Sequence, residues 1–309
     1  MKDSKIDRDL DARPLFPPNI VIQVKALACE LPHQKGIPLS RFSCRDIAAE
    51  TMSDGICAQI SDSTVWRWLH EDAIKPWQYR SWIFPRDAQF EQKAARVLDL
   101  YHGFWEGKAL QKDEFVLSAD EKTSIQARRR KHPTYACGPQ RSMRVEHEYE
   151  RMGALNYLAA WDVHRAKIFG HIESKSGIES FDRLVTDVMH QEPYASAKRV
   201  FWIVDNGSSH RGQTSVQRFH EKWPQTILVH LPVHASWLNQ IEIYFSILQR
   251  KVLTPNDFTS LELLANTIIE FQKRYECTAQ PFEWKFTHND LANLMNKLSS
   301  QIIDLKQAA

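Results

Sequence analysis

The sequence has few cysteines, and none of them form a pair at zinc-binding spacing. The five cysteines stand singly along 309 residues, an odd number without a CxxC motif. Such a set argues against both a disulfide framework and a zinc site. We therefore expect reduced thiols at Cys29, Cys44, Cys57, Cys137 and Cys277.

The sequence also lacks a long uncharged apolar run and a secretory signal. A bilayer-spanning helix needs about 20 apolar residues, and no such run is found. The first residues, MKDSKIDRDLDARPLFPP, are charged and contain prolines where a signal peptide would have an apolar core. With 43% hydrophobic and 25% charged residues, the composition is ordinary for a globular protein. These features predict a cytoplasmic protein without membrane association.

The chain as a whole lacks a strong excess of positive or negative charge. Its net charge of +2 is too small to indicate a nucleic acid partner by itself. Locally, residues 122–145 contain seven Lys or Arg residues and no acid. Such a run is usually solvated surface, but this one begins beside Asp120, so we favour contact with a DNA backbone. The candidates for that contact are Arg128, Arg129, Arg130 and Lys131.

The first part of the chain has the pattern of a small helical module. Apolar spacing and capping residues predict helices over residues 19–30, from Ser43 and from Ser61. Three short helices in this order are typical of a helix-turn-helix unit, whose third helix presents polar side chains to the major groove of DNA. Ser63 and Arg67 are the candidates for that contact. An ordinary three-helix packing module is an equal alternative.

Changes of pattern divide the chain into four predicted regions. Residues 1–18 form a charged tail, and residues 19–84 form the helix-turn-helix region and a connector. Residues 85–112 contain a linker helix from Asp87 to about Trp105, and residues 113–309 form an α/β domain. The order βββαβαβα in that domain predicts a ribonuclease H-like fold, a mixed sheet flanked by helices. The predicted strands cover residues 115–117, 155–161, 168–172, 200–204 and 226–231.

Two acids of the α/β domain follow apolar strands. In an open α/β sheet ligands gather beyond the carboxyl ends of strands, which is where the sequence places Asp120 and Asp205. Either one alone has an ordinary explanation as a residue that caps a turn. Glu242 is the one acid between Glu221 and Asp257, at the edge of the apolar stripe of its helix, where a solvated position is the alternative.

Three carboxylates at one sheet edge predict a metal site. Their oxygens suit Mg²⁺ or Mn²⁺, and two ions could share them to promote in-line displacement at phosphorus. We therefore predict that Asp120, Asp205 and Glu242 are both the metal ligands and the catalytic residues. His210, five residues after Asp205, could lie near the metals or cap the following helix.

Three segments of the chain resemble the acidic motifs of DDE transposases, especially the bacterial insertion-sequence branch of the mariner superfamily. The segments are VLSADEKT, FWIVDNGSSH and HLPVHASWLNQIEIYFSILQRKV, and the resemblance extends to the helix near Ser61 and to PFEWKFT. It assigns the three acids to Asp120, Asp205 and Glu242, the last two separated by 37 positions, which is typical of that superfamily. Asn206 and His210 match recurring residues of the second motif, which makes both candidates for supporting the acids.

The resemblance implies a transposase that acts as a homodimer on DNA in the bacterial cytoplasm, associated with the nucleoid. Such an enzyme recognises the terminal inverted repeats of its element, cleaves strands with metal-activated water and joins them to target DNA, typically at TA. Relatives often have two helix-turn-helix units, so we expect a shortened recognition region, and an upstream reading frame or a truncated copy are alternatives. A non-catalytic DNA-binding relic and a ribonuclease H-like nuclease without strand joining also stay open.

Overall fold

The computed structural model describes residues 16–79, 87–207 and 213–307. The chain divides into two compact units, residues 1–82 and 83–309, and each is described by itself. The finer division predicted from the sequence, with boundaries at residues 18, 84 and 112, stays a prediction. Within the described ranges, no helix is both long and apolar enough to cross a membrane.

The first unit contains the three predicted helices. They are α1 (Pro18–Ala28), α2 (Cys44–Ser53) and α3 (Asp62–Glu71). The predicted capping box forms at α2, where Ser43 Oγ accepts from Asp46 N at 3.2 Å and Asp46 Oδ2 accepts from Ser43 N at 2.9 Å. Val65 and Leu69 of α3 are buried in the core of this unit, and Ser63 and Arg67 are exposed.

The second unit begins with α4 (Phe90–Tyr101) and a short antiparallel hairpin of β1 (Phe104–Trp105) and β2 (Lys108–Ala109). The predicted linker helix extended to Trp105, but α4 ends four residues earlier. Gly103 has a φ of 80°, a conformation that glycine adopts readily and that a helix cannot contain. The turn at Gly103 therefore explains the earlier end.

A mixed five-stranded sheet forms the centre of the second unit, as predicted. Its strands lie in the order β5-β4-β3-β6-β7, with β3, β4 and β5 antiparallel and β6 and β7 parallel to β3. Hydrophobic side chains on both faces of β6 make it the most buried strand. The strand ranges are β3 Glu114–Arg130, β4 Tyr149–Asp162, β5 Lys167–Glu173, β6 Arg199–Val204 and β7 Thr226–His230.

The first strand of the sheet is much longer than predicted. β3 has 17 residues, and its pairing with β4 continues through Asp120 to Arg130. The predicted end before Asp120 was therefore wrong, because the polar residues that follow belong to a strand and not to a turn. Ile125 and Ala127 stay buried, so the alternation of a half-exposed strand continues there.

Helices cover both faces of the sheet. One face packs against α5 (Ile178–Met189) and Phe219 of α6 (Gln213–Lys222). The other packs against α4, α7 (Ile241–Lys251) and α8 (Leu261–Glu276). The chain closes with α9 (His288–Gln307). From β3 to α7 the order of elements is the predicted βββαβαβα.

Replacement of Gly170 on β5 tests the register of this strand against β4. A Cβ there would lie 2.7 Å from Tyr157 Oη and 2.8 Å from the Leu158 carbonyl oxygen. Because the backbone cannot move aside cheaply, we expect Gly170→Ala to lower the free energy of unfolding by about 1–3 kcal/mol in urea denaturation. Gly138→Ala is the matched control, since its nearest atom is in the Arg141 side chain at 3.6 Å. Equal stability of the two variants would contradict the register.

Candidate active site

Asp120 and Asp205 are at the same level of neighbouring parallel strands. The register between β3 and β6 pairs Glu114 with Arg199 and continues to Ser118 and Ile203. Two more residues along each strand bring the chain to Asp120 on β3 and to Asp205, directly after β6. Adjacent strands are about 4.8 Å apart. The pairing of the two strands therefore brings the two carboxylates to one place.

Backbone amides orient both of these carboxylates. Asp120 Oδ1 accepts from Glu121 N at 2.8 Å, and Asp205 Oδ1 accepts from Gly207 N at 2.7 Å. Asn206 Nδ2 donates to the Leu231 carbonyl oxygen at 2.7 Å, which ties the end of β6 to the residue after β7. This hydrogen bond of Asn206 therefore restrains the backbone next to Asp205.

Glu242 lies in the first turn of α7 on its exposed side. The predicted apolar stripe of this helix, Leu238, Ile241, Phe245 and Leu248, is buried. Reduced hydration raises the pKa of Glu242, the negative charge of Asp205 raises it further, and the positive charge of Lys122 lowers it. Glu242 is therefore a solvent-accessible carboxylate that is electrostatically coupled to the strand-end acids.

The carboxyl group of Asp120 is strongly perturbed by its surroundings. Burial is the largest effect, and the negative charges of Asp205 and Glu242 add to it, so that its pKa rises to about 7. The backbone amide of Glu121 opposes this shift. The mutual repulsion shows that the three predicted residues share one electrostatic environment.

The donor set fits a hard divalent cation. Carboxylate oxygens are the usual protein ligands of Mg²⁺ and Mn²⁺, and a cation would relieve the repulsion that raises the pKa values of Asp120 and Glu242. In the described ranges, no three His, Cys, Asp or Glu side chains are already gathered into a closed metal-binding cluster. The acids form an open site, beside which a cavity of about 240 Å³ is lined by Asp205, Asn206 and the loop that begins at Leu231.

Sequence reasoning missed a buried polar network next to the acids. Asn239 Nδ2 donates to Asp120 Oδ2 at 3.2 Å, and Ser118 Oγ donates to Asn239 Oδ1. Tyr101 Oη donates to the Leu238 carbonyl oxygen at 2.7 Å and accepts from Gln240 N at 3.2 Å. Tyr101, Ser118 and Asp120 are each more than 100 positions from the Asn239 turn. No local pattern therefore indicated the network, apart from the presence of Asn239 within the third motif.

The other predicted residues belong to different parts of the chain. His210 lies outside the described residues. Ser63 and Arg67 belong to the first unit, on the exposed face of α3. Arg128 lies on the outer half of β3, eight residues beyond Asp120, which corresponds to roughly 25 Å along a strand.

The basic residues at the outer end of β3 already have partners on β4, in the connection before β4 and in the loop after α7. Arg129 pairs with Glu150 and Lys131 pairs with Glu148. Arg130 donates from its guanidinium to the carbonyl oxygens of Asn256 and Glu146, at 3.0 and 2.7 Å. The Arg128 guanidinium lies 4.7 Å from the centre of the Tyr149 ring. The side chains from Arg128 to Lys131 therefore form a paired, partly exposed surface.

The raised pKa of Asp120 predicts a pH-dependent stability of the metal-free protein. Between about pH 4 and pH 7 the unfolded chain has released this proton and the folded protein retains it, so folding should lose stability as the pH rises. Urea denaturation of wild type and Asp120→Asn, with a chelator present, should show wild type falling relative to the variant across that window and parallel curves above it. Parallel curves from pH 4 upward would contradict the raised pKa of Asp120.

Comparison with known proteins finds a family model that matches the part of the chain around this site. Residues 116–265, which include all three acids, match the model of the DDE superfamily endonucleases. A comparison with curated protein sequences finds no significant match.

Solved structures of a mariner transposase have a similar fold at low sequence identity. The Mos1 strand transfer complex is 12% identical, with 94% of this chain and 79% of that chain covered and a TM-score of 0.50. The Mos1 mariner paired end complex with Mn is 12% identical, with 94% of this chain and 80% of that chain covered and a TM-score of 0.50. The paired end complex with Mg is 12% identical, with 95% of this chain and 83% of that chain covered and a TM-score of 0.51. Residues 116–265 therefore resemble the DDE superfamily endonucleases, and the chain has a fold similar to that of the Mos1 mariner transposase.

Proposed function

We propose that this protein is a transposase that cleaves DNA at the ends of a mobile element and joins the freed 3′ ends to target DNA at TA. The observation that carries the proposal is the meeting of Asp120 and Asp205 on parallel strands, with Glu242 coupled to them by charge. The Mos1 structures of similar fold are a strand transfer complex and paired end complexes with Mn or Mg, which supports a DNA substrate and a divalent metal.

Asp120, Asp205 and Glu242 would hold two Mg²⁺ or Mn²⁺ ions in this reaction. When bound, such a pair activates the attacking oxygen and stabilises the leaving oxygen at phosphorus. The chain contributes orientation, because Glu121 N and Gly207 N each fix one oxygen of a strand-end carboxylate. The positive charge of Lys122, which lowers the pKa of Glu242, would also attract a phosphate of the DNA.

DNA recognition would be divided between the two units. Ser63 and Arg67, which are exposed on α3, would read the bases of the terminal inverted repeats as part of a helix-turn-helix unit. The surface from Arg128 to Lys131 would contact the phosphate backbone. A homodimer that holds two element ends is part of the proposal, supported by the paired end complexes of Mos1.

Substitution of the acids tests the assignment of the active site. Asp205→Ala and Glu242→Ala should each abolish Mg²⁺- or Mn²⁺-dependent nicking of DNA that carries the element's ends, because each removes a metal ligand. Asp187→Asn is the matched control, since it neutralises an exposed acid on α5 outside the site. Nicking and joining are scored separately on labelled oligonucleotides. Undiminished nicking by both alanine variants would overturn the site, and nicking without joining would identify a nuclease.

Paired substitutions across the β3–β4 ribbon test its contact with DNA. Arg129→Gln with Lys131→Gln should weaken DNA binding. The slope of the logarithm of the binding constant against the logarithm of the salt concentration should become shallower by up to about two, since each phosphate contact contributes about 0.9 to it. Glu150→Gln with Glu148→Gln removes the opposing acids from the same ion pairs, so affinity should rise. Binding of a labelled duplex is titrated at several salt concentrations. Unchanged slopes in both double variants would make this ribbon ordinary solvated surface.

A further inference from the structure

The turn that leads into α7 is held by side chains from two other elements. Tyr101 of α4 binds the backbone of Leu238 and Gln240, as described above. Between these two residues, the side chain of Asn239 turns toward β3 and is 1% exposed. We propose that Asn239 is a positioning residue that fixes the carboxylate of Asp120 for metal binding, an inference that rests on the proposed function of the site.

Three successive residues of β3 determine the orientation of the Asn239 amide. Its Nδ2 donates to the Ala119 carbonyl oxygen at 3.1 Å and to Asp120 Oδ2 at 3.2 Å, and its Oδ1 accepts from Ser118 Oγ. A carbonyl and a carboxylate can only accept, so Nδ2 must face both of them. The opposite orientation would place Oδ1 against two acceptors. The amide is therefore locked, and it locks one oxygen of Asp120 in turn.

Ser118 connects the same contact to the helix of Glu242. Its Oγ accepts from Ile241 N at 3.0 Å, a first-turn amide that has no acceptor within the helix. Gln240, the residue before α7, contributes no side-chain cap of its own. Ser118, which is fully buried, therefore caps α7 from a neighbouring strand, immediately before Glu242. The hydroxyl of Ser118 and the amide of Asn239 together place Asp120 and Glu242 relative to each other.

The burial of Ser118 and Asn239 indicates that their hydrogen bonds have a specific role. A buried amide or hydroxyl without partners costs several kcal/mol, and apolar side chains would fill the same space more safely. The neighbours Leu238 and Ile241 are apolar and equally buried. Polar side chains at Ser118 and Asn239 serve the orientation of a carboxylate and of a helix start, which apolar groups cannot provide.

The experiment measures Mn²⁺ binding and catalysis separately in the full chain. Asn239→Leu replaces the amide by an apolar side chain of similar size and so removes the donor to Asp120. We expect its Kd for Mn²⁺, titrated without DNA, to rise between tenfold and a hundredfold, as is common when a group that orients a metal ligand is lost. The kcat for nicking should fall by a similar factor, and the KM for DNA should stay unchanged.

Ser118→Ala gives a second, milder test, because Ser118 reaches Asp120 through Asn239 and reaches Glu242 only through the backbone of α7. Its effect on Mn²⁺ affinity should be smaller than that of Asn239→Leu, and the two effects should add incompletely in the double variant. Tyr194→Phe is the control for a purely structural loss. It removes a buried 2.6 Å hydrogen bond to Asp162 on the opposite face of the sheet, so thermal stability should fall while Mn²⁺ affinity stays unchanged.

The outcomes separate this inference from the proposed function. If wild type nicks DNA and Asn239→Leu and Ser118→Ala bind Mn²⁺ as tightly as wild type, Asn239 has no positioning role and the inference is overturned. If wild type binds Mn²⁺ and does not nick element ends, the proposed function is wrong while the Mn²⁺ titrations still decide the role of Asn239. Loss of thermal stability in both variants with an unchanged Kd for Mn²⁺ would leave only a structural role.

Discussion

The burial of Asp120 and its repulsion by the carboxylate at the end of the neighbouring strand form the constraint on which the second unit depends. Asp120 and Asp205 meet because β3 and β6 are paired in parallel, and the side chains of β6 are buried on both faces. Moving the two acids apart would break backbone hydrogen bonds and expose that core. The sheet therefore cannot relax the repulsion by local motion. A proton on Asp120, whose pKa is about 7, or a bound cation relieves it instead.

Support for this charged edge comes from groups far away in sequence. An aromatic segment before α9 packs on the residues behind the site, with Trp284 against Tyr101 at 5.1 Å and Phe286 against Trp237 at 4.9 Å. Tyr101 in turn binds the backbone on both sides of Asn239. The PFEWKFT segment, which is part of the family resemblance, thus has a physical role as the outer layer of a chain of contacts that ends at Asp120.

The order of strands and helices could be predicted from sequence because it depends on local apolar patterns. The run before Asp205 is continuous and ends at the acid, so both the strand and its end were readable. Asp120 was predicted as a candidate for an incomplete reason, since β3 continues past it for ten residues. What places Asp120 opposite Asp205 is the strand register, which a single sequence does not encode in any local pattern. Ser118 and Asn239 went unnoticed for the same reason.

The long β3 strand also changes how the basic run should be understood. Residues 122–145 contain no acid, but Glu148 and Glu150 follow just beyond and face Lys131 and Arg129 across the ribbon. A charge count along the chain therefore overstates the local positive potential, which depends on cross-strand pairs. Exposed ion pairs of this kind contribute little to stability, and their partners can exchange for a phosphate at small cost. Because the same strand carries Asp120, a phosphate bound on the ribbon would be held at a fixed distance from the acids.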